Sequence, residues 1–97
     1  MAANYMELLK TNDPEFFDLF KALMDKNQEK GALDAKTKVL IILFNDATKG
    51  HADAVKKLAA GARKLGATDK EISETIRMAF MASGLSGLVA GMAAFEE

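Results

Sequence analysis

His51 is the only imidazole in the chain, and it lies in the densest run of small polar residues, Phe44-Asn45-Asp46-Ala47-Thr48-Lys49-Gly50-His51-Ala52-Asp53. An imidazole titrates near neutral pH without help, so His51 could move a proton as general acid or base. Asp46 or Asp53 could orient it, and Lys49 could hold an anionic group of a substrate. The competing reading is a solvated or capping histidine at a helix start, with the two aspartates as solvated or cap groups.

Other chemistries find less support. The chain has no Cys, which removes thiolate nucleophiles, iron–sulfur clusters, thiolate metal sites and disulfides together, because each needs the sulfur itself. His51, Asp46 and Asp53 give at most three metal ligands from one chain, without paired histidines, so no metal is expected. Gly50, Gly61 and Gly66 lack the order of a phosphate loop and no strand precedes them, so no nucleotide cofactor is expected. Lys49, Lys56, Lys57, Arg63, Lys64 and Lys70 make residues 47–70 locally basic, yet no aromatics interleave with them for base stacking. With 13 basic against 14 acidic residues there is no global field either, and nucleic acid is not an expected partner.

The elements that must position these residues read as helices throughout. Apolar residues recur at three and four, and strand alternation is absent. Residues 4–11 give a short helix, and Asp13-Pro14 caps a second over 14–30, with Gly31 expected as its left-handed stop. Asp34 caps a central helix over 35–48, whose run Val39-Leu40-Ile41-Ile42-Leu43-Phe44 is apolar on every face and is expected to be surrounded. Residues 50–65 form an amphipathic helix that Gly66 ends. Thr68 and Glu71 make a capping box for a helix through Ile72, Ile76, Ala79 and Phe80, which Gly84 closes before a last helix over 86–95. The expected fold is all-α, a bundle of about six helices in a single domain over residues 1–97.

Met78–Phe95 is uncharged for 18 residues, about the lower length of a membrane span, and contains Gly87-x-x-x-Gly91. Ser83-Gly84 interrupts it, so a buried helix pair is expected and no membrane span. The start of the chain lacks a basic stretch followed by an apolar run, and a cytoplasmic location is expected. So much apolar surface in a short helical chain points to subunits sharing a core, hence to a homo-oligomer.

Three phrases occur together here: Leu33-Asp34 with Lys36-Thr37-Lys38 and Leu40, Leu65-Gly66-Ala67-Thr68-Asp69-Lys70-Glu71-Ile72, and a glycine at 84 after an apolar helix. In this combination, with the spacing from Lys36 to Gly66 kept, the chain resembles the carboxymuconolactone decarboxylase and AhpD-like alkylhydroperoxidase family. The resemblance covers about two thirds of the chain and implies a helical bundle assembled as trimers or hexamers. AhpD-like members carry a Glu, then Cys-x-x-Cys, then a His. On the same register those positions are Val39, His51, Ala54 and Leu58. A dithiol reaction needs one thiolate to attack and a second to resolve, so thiol peroxidase chemistry is excluded. Decarboxylase members place a Glu and a His near the last two positions, where Ala54 and Leu58 supply neither.

The expectation is therefore a family-like protein without the thiol redox site, acting as a small-molecule binder or as a non-thiol enzyme using His51. Alternatives are a decarboxylase-type lyase or isomerase acting on an anionic ring substrate held by Lys49, and a structural or partner-binding homo-oligomer. An enzyme would show His51 at a concavity with a carboxylate in hydrogen-bond reach.

Overall fold

The computed structural model describes residues 4–97, and every regular element in them is helical. The described chain divides into two compact units, up to Gly31 and from Ala32 on.

The first unit is a helical hairpin. α1 (Tyr5–Asn12) is capped by Asn4, whose side chain accepts from the Met6 amide. α2 (Pro14–Gln28) begins as the sequence predicts, with the Asp13 side chain accepting from Phe16 N and Pro14 in the first turn, where a missing N–H costs no hydrogen bond. The rings of Tyr5 and Phe20 meet edge to face at 6.2 Å and join the two helices. The expected stop at Gly31 is not used. The chain leaves α2 through Glu29, whose backbone is already extended, and Gly31 does not have a positive φ.

The second unit holds the core. α3 (Ala35–Thr48) starts where Asp34 accepts from the Thr37 amide at 2.8 Å. α4 (Ala52–Lys64), α5 (Asp69–Ser83), α6 (Leu85–Gly91) and a closing 3-10 turn (Met92–Phe95) follow. Both halves of the Thr68/Glu71 capping box are present, at 3.1 and 2.9 Å. Leu43, Val55, Ile72 and Ile76 are the largest fully buried side chains. Around them lie Ala47, Ala59, Ala62, Ala79, Ala93 and Ala94, and such small side chains let helix axes approach closely.

α3 is less enclosed than its composition predicts. Leu43 and Ala47 are buried, Val39, Leu40 and Phe44 pack partly on the core, and Ile41 and Ile42 remain half exposed. Its neighbours in the unit, α4, α5 and α6, cover only part of its circumference.

Met78–Phe95 is split at Gly84, whose φ of +75° turns the chain so that α6 folds back along α5. No helix among the described residues is long and apolar enough to cross a membrane. The Gly87/Gly91 pair works inside the chain. A Cβ on Gly87 would strike Ser83 Oγ and come within 2.8 Å of the Ala79 carbonyl oxygen, and one on Gly91 would lie 2.6 Å from Ile76 Cγ2. The spacing read as a close-approach motif is what seats α6 on α5.

Candidate functional site

The site is built from the junction of α3 and α4. Lys49 caps the C-terminus of α3, and Gly50 follows with φ +78°, a conformation open to glycine at little cost. The Gly50 amide then donates to Ala47 O at 3.0 Å and the His51 amide to Asp46 O at 2.9 Å. These two bonds are the pair that closes a helix when a left-handed residue follows its cap. They reverse the chain so that His51 returns over Asp46, three turn residues from where the helix ended.

Side chains complete what the backbone starts. His51 Nδ1 lies 3.0 Å from Asp46 Oδ1. Asp46 is largely shielded, with 20% of its side chain exposed, whereas the imidazole is 57% exposed. The sequence left Asp46 and Asp53 open as the orienting carboxylate, and in the structure it is Asp46 that the ring meets. Asp53 lies in the first turn of α4, where a negative charge complements the free amides. His51 is the N-cap residue of α4, yet its side chain makes no cap hydrogen bond, because the ring is held by Asp46 instead. No third His, Asp or Glu joins the pair as a metal-binding group among the described residues.

Beside this junction is an open hollow of about 620 Å³. Gly50 and Ala52, the two neighbours of His51, form one wall, and Leu85, Ser86, Val89 and Ala90 of α6 form the other. Ala93 and Glu96 complete it, while neither His51 nor Lys49 lines it. Only the residues on either side of His51 in sequence, and not the imidazole, belong to the wall. Lys49, expected to hold an anion, stands exposed at the C-terminus of α3.

The other positions marked by the family register carry hydrocarbon with a packing role. Val39 and Leu58 pack against the core, and Ala54 is half buried. Acid–base chemistry at His51 is what this arrangement can offer: Asp46 accepts from Nδ1–H, fixes the tautomer and leaves Nε2 as the nitrogen that takes or gives a proton.

Sequence reasoning missed several polar contacts that hold the unit in place. Arg63 donates to Ala94 O at 2.9 Å, pairs with Asp69 at 3.0 Å and lies over the Phe95 ring, so it fastens the closing turn that carries the far end of the hollow. Lys56 Nζ donates to Glu97 O at 2.8 Å. Two residues of the basic stretch thus serve as internal anchors. Lys36 and Glu71, the latter expected only to cap α5, meet at 3.0 Å and tie the start of α3 to the start of α5. The Thr68 amide, and then Lys36, hold the Glu71 carboxyl below its usual range, and Glu71 raises the Lys36 ammonium in return. The only sequence signal for these contacts was residue type, since their partners lie up to 41 positions apart.

Uncharacterized protein MJ1511 of Methanocaldococcus jannaschii is 28% identical over 95 residues, covering 98% of this chain and 89% of that protein. Uncharacterized protein MJ0742 of the same organism is 29% identical over 93 residues, covering 95% and 89%. The sequence model of the carboxymuconolactone decarboxylase family matches residues 14–97, from the start of α2 through the site to the last residue. By that match the chain belongs to the carboxymuconolactone decarboxylase family.

Proposed function

We propose that this protein is a cysteine-free member of its family that binds a small molecule beside His51 and uses the Asp46–His51 pair for acid–base chemistry. The observation that carries this reading is the 3.0 Å contact between His51 Nδ1 and the shielded Asp46 carboxylate, with a hollow nearby whose wall includes both chain neighbours of His51. A merely solvated histidine needs no such partner, whereas a proton-transfer residue needs its tautomer fixed. With no cysteine in the chain, the attacking and resolving thiols of a dithiol cycle are absent.

The test is an amide-resolved NMR screen of the full chain against small ring compounds of each charge type. Binding at the hollow moves the resonances of Gly50 and Ala52 together with those of Leu85–Ala90, and His51→Ala weakens the response of compounds carrying a proton donor or acceptor. Compounds that move neither group, or whose binding is the same in His51→Ala, refute the reading.

A second reading concerns assembly. Ile41 and Ile42 on α3 and Met92 in the closing turn are about half exposed, and Leu85 and Val89 of α6 are more exposed still. Apolar surface of this kind marks association sites more often than free solvent-facing surface, which supports a homo-oligomer. Sedimentation equilibrium at micromolar concentration should give a mass several times 10.5 kDa. A stable monomer there overturns it.

A further inference from the structure

The helical hairpin of the first unit carries apolar side chains on two faces of α2. Phe17 and Phe20 turn toward α1, where the Phe20 ring meets Tyr5 and Lys10 Nζ lies over the Phe17 ring at 5.8 Å. Phe16, Leu19 and Leu23 stand beside that seam at i, i+3 and i+7, the spacing of a stripe that packs against another helix. All three are more than half exposed. Neither α1 nor α2 holds a buried residue, and every buried apolar residue of the described chain lies at or beyond Leu43. Two amphipathic helices alone enclose no core, whereas two such hairpins face to face make a four-helix bundle around one.

The exposed area suits such a pairing. Tyr5 and Leu8 of α1 and Met24 of α2 add further hydrocarbon to the stripe's three, and these six side chains are 39% to 65% exposed. Half-exposed side chains of this size leave about 100 Å² each, hence on the order of 600 Å² per hairpin and about 1,200 Å² in a pair, where stable protein interfaces begin. A second copy offers the same stripe, and identical patches meet in a twofold contact. From its spacing and area we infer that the α2 stripe covers the same stripe of a second copy about a twofold axis beside Leu19, so that two hairpins close into a four-helix bundle. This deepens the homo-oligomer reading above by naming one face through which the copies meet, and it does not depend on the hollow. Because Leu19 is the middle residue of the stripe, it lies beside the partner's Leu19 whichever way the two helices run.

The absence of cysteine makes the test direct, since a single introduced thiol can pair only with its own copy. Leu19→Cys and Lys21→Cys are made in the full chain and oxidised with diamide, Lys21 lying on the opposite face of α2. On a non-reducing gel Leu19→Cys should run as a covalent dimer, twice the 10.5 kDa chain, while Lys21→Cys stays single. Leu19→Asp places a charge in each half of the seam and should weaken this contact at least about tenfold, lowering the mass at sedimentation equilibrium. Because residue 19 is exposed in the single chain, helix content by circular dichroism should be unchanged. If wild type sediments as a monomer, the homo-oligomer reading fails and this inference falls with it. If wild type assembles but Leu19→Asp keeps its mass, or Leu19→Cys cross-links no better than Lys21→Cys, this inference alone is overturned and another surface joins the copies.

Discussion

Gly87→Ala is the perturbation whose sign decides whether α6 is seated as described. In an exposed helix interior, replacing glycine by alanine stabilises by about 0.5–1 kcal/mol, because the unfolded chain loses freedom. At Gly87 the added Cβ comes within 2.8 Å of the Ala79 carbonyl oxygen and strikes Ser83 Oγ. Ser83 Oγ already donates to that same carbonyl at 3.0 Å, so neither atom can move freely. Overpacking of this kind costs about 1–3 kcal/mol, which offsets the helix gain and leaves a net loss of up to about 2.5 kcal/mol. Gly61, inside α4, is the matched control: a Cβ there meets nothing within 4 Å, and Gly61→Ala should stabilise by about 0.5–1 kcal/mol. Urea unfolding of the two variants beside wild type should give midpoints on opposite sides of the parent. The displacement should also reach the site, since α6 supplies Leu85, Ser86, Val89 and Ala90 to the hollow. A Gly87→Ala protein as stable as Gly61→Ala would refute the close approach of α6 to α5, and with it the wall of the hollow.

Other outcomes follow from the same structure. Leu43→Ala removes a fully buried side chain at the centre of the second unit and should cost about 2–5 kcal/mol in urea unfolding; a loss below 1 kcal/mol contradicts its burial. Thr68→Ala breaks the capping box of α5 and should cost about 0.5–2 kcal/mol, with Thr68→Ser recovering most of it. Hydrogen bonds from Thr37 hold Asp34 below its ordinary 3.8, and the Thr68 amide and Lys36 hold Glu71 below 4.5. Depressed carboxyl values contribute stability that is present above the ordinary values and lost as pH falls through the lower folded ones, so the urea midpoint should drop as pH falls below about 4. Glu71→Gln should flatten that drop, and an unchanged slope would show that the carboxyl does not contribute. Lys36, raised above 10.5 by Glu71, has the opposite sign: its contribution is present below that value and is lost only as pH rises through the higher folded one.

What was legible in the sequence is what acts locally. The caps at Asp13, Asp34 and Thr68 each satisfy amides within three residues, so residue type at short spacing was sufficient to place the starts of α2, α3 and α5. The absence of cysteine removed thiol chemistry without any coordinates. The expected stop at Gly31 failed for a related reason: glycine permits a left-handed residue but does not compel one, and the backbone turned out of α2 at Glu29 first.

Tertiary structure decided the rest. His51 had two candidate carboxylates in sequence, and only the turn through Gly50, fixed by the bonds to Ala47 and Asp46, determined which one it meets. Which faces of the all-apolar stretch of α3 are covered depended on how many neighbours α4, α5 and α6 could supply. The hollow arises because α6 and the residues after it reach Gly50 and Ala52 from more than thirty residues away. Short-range hydrogen bonds are written in neighbouring residues, while a concavity exists only once distant helices have closed around it.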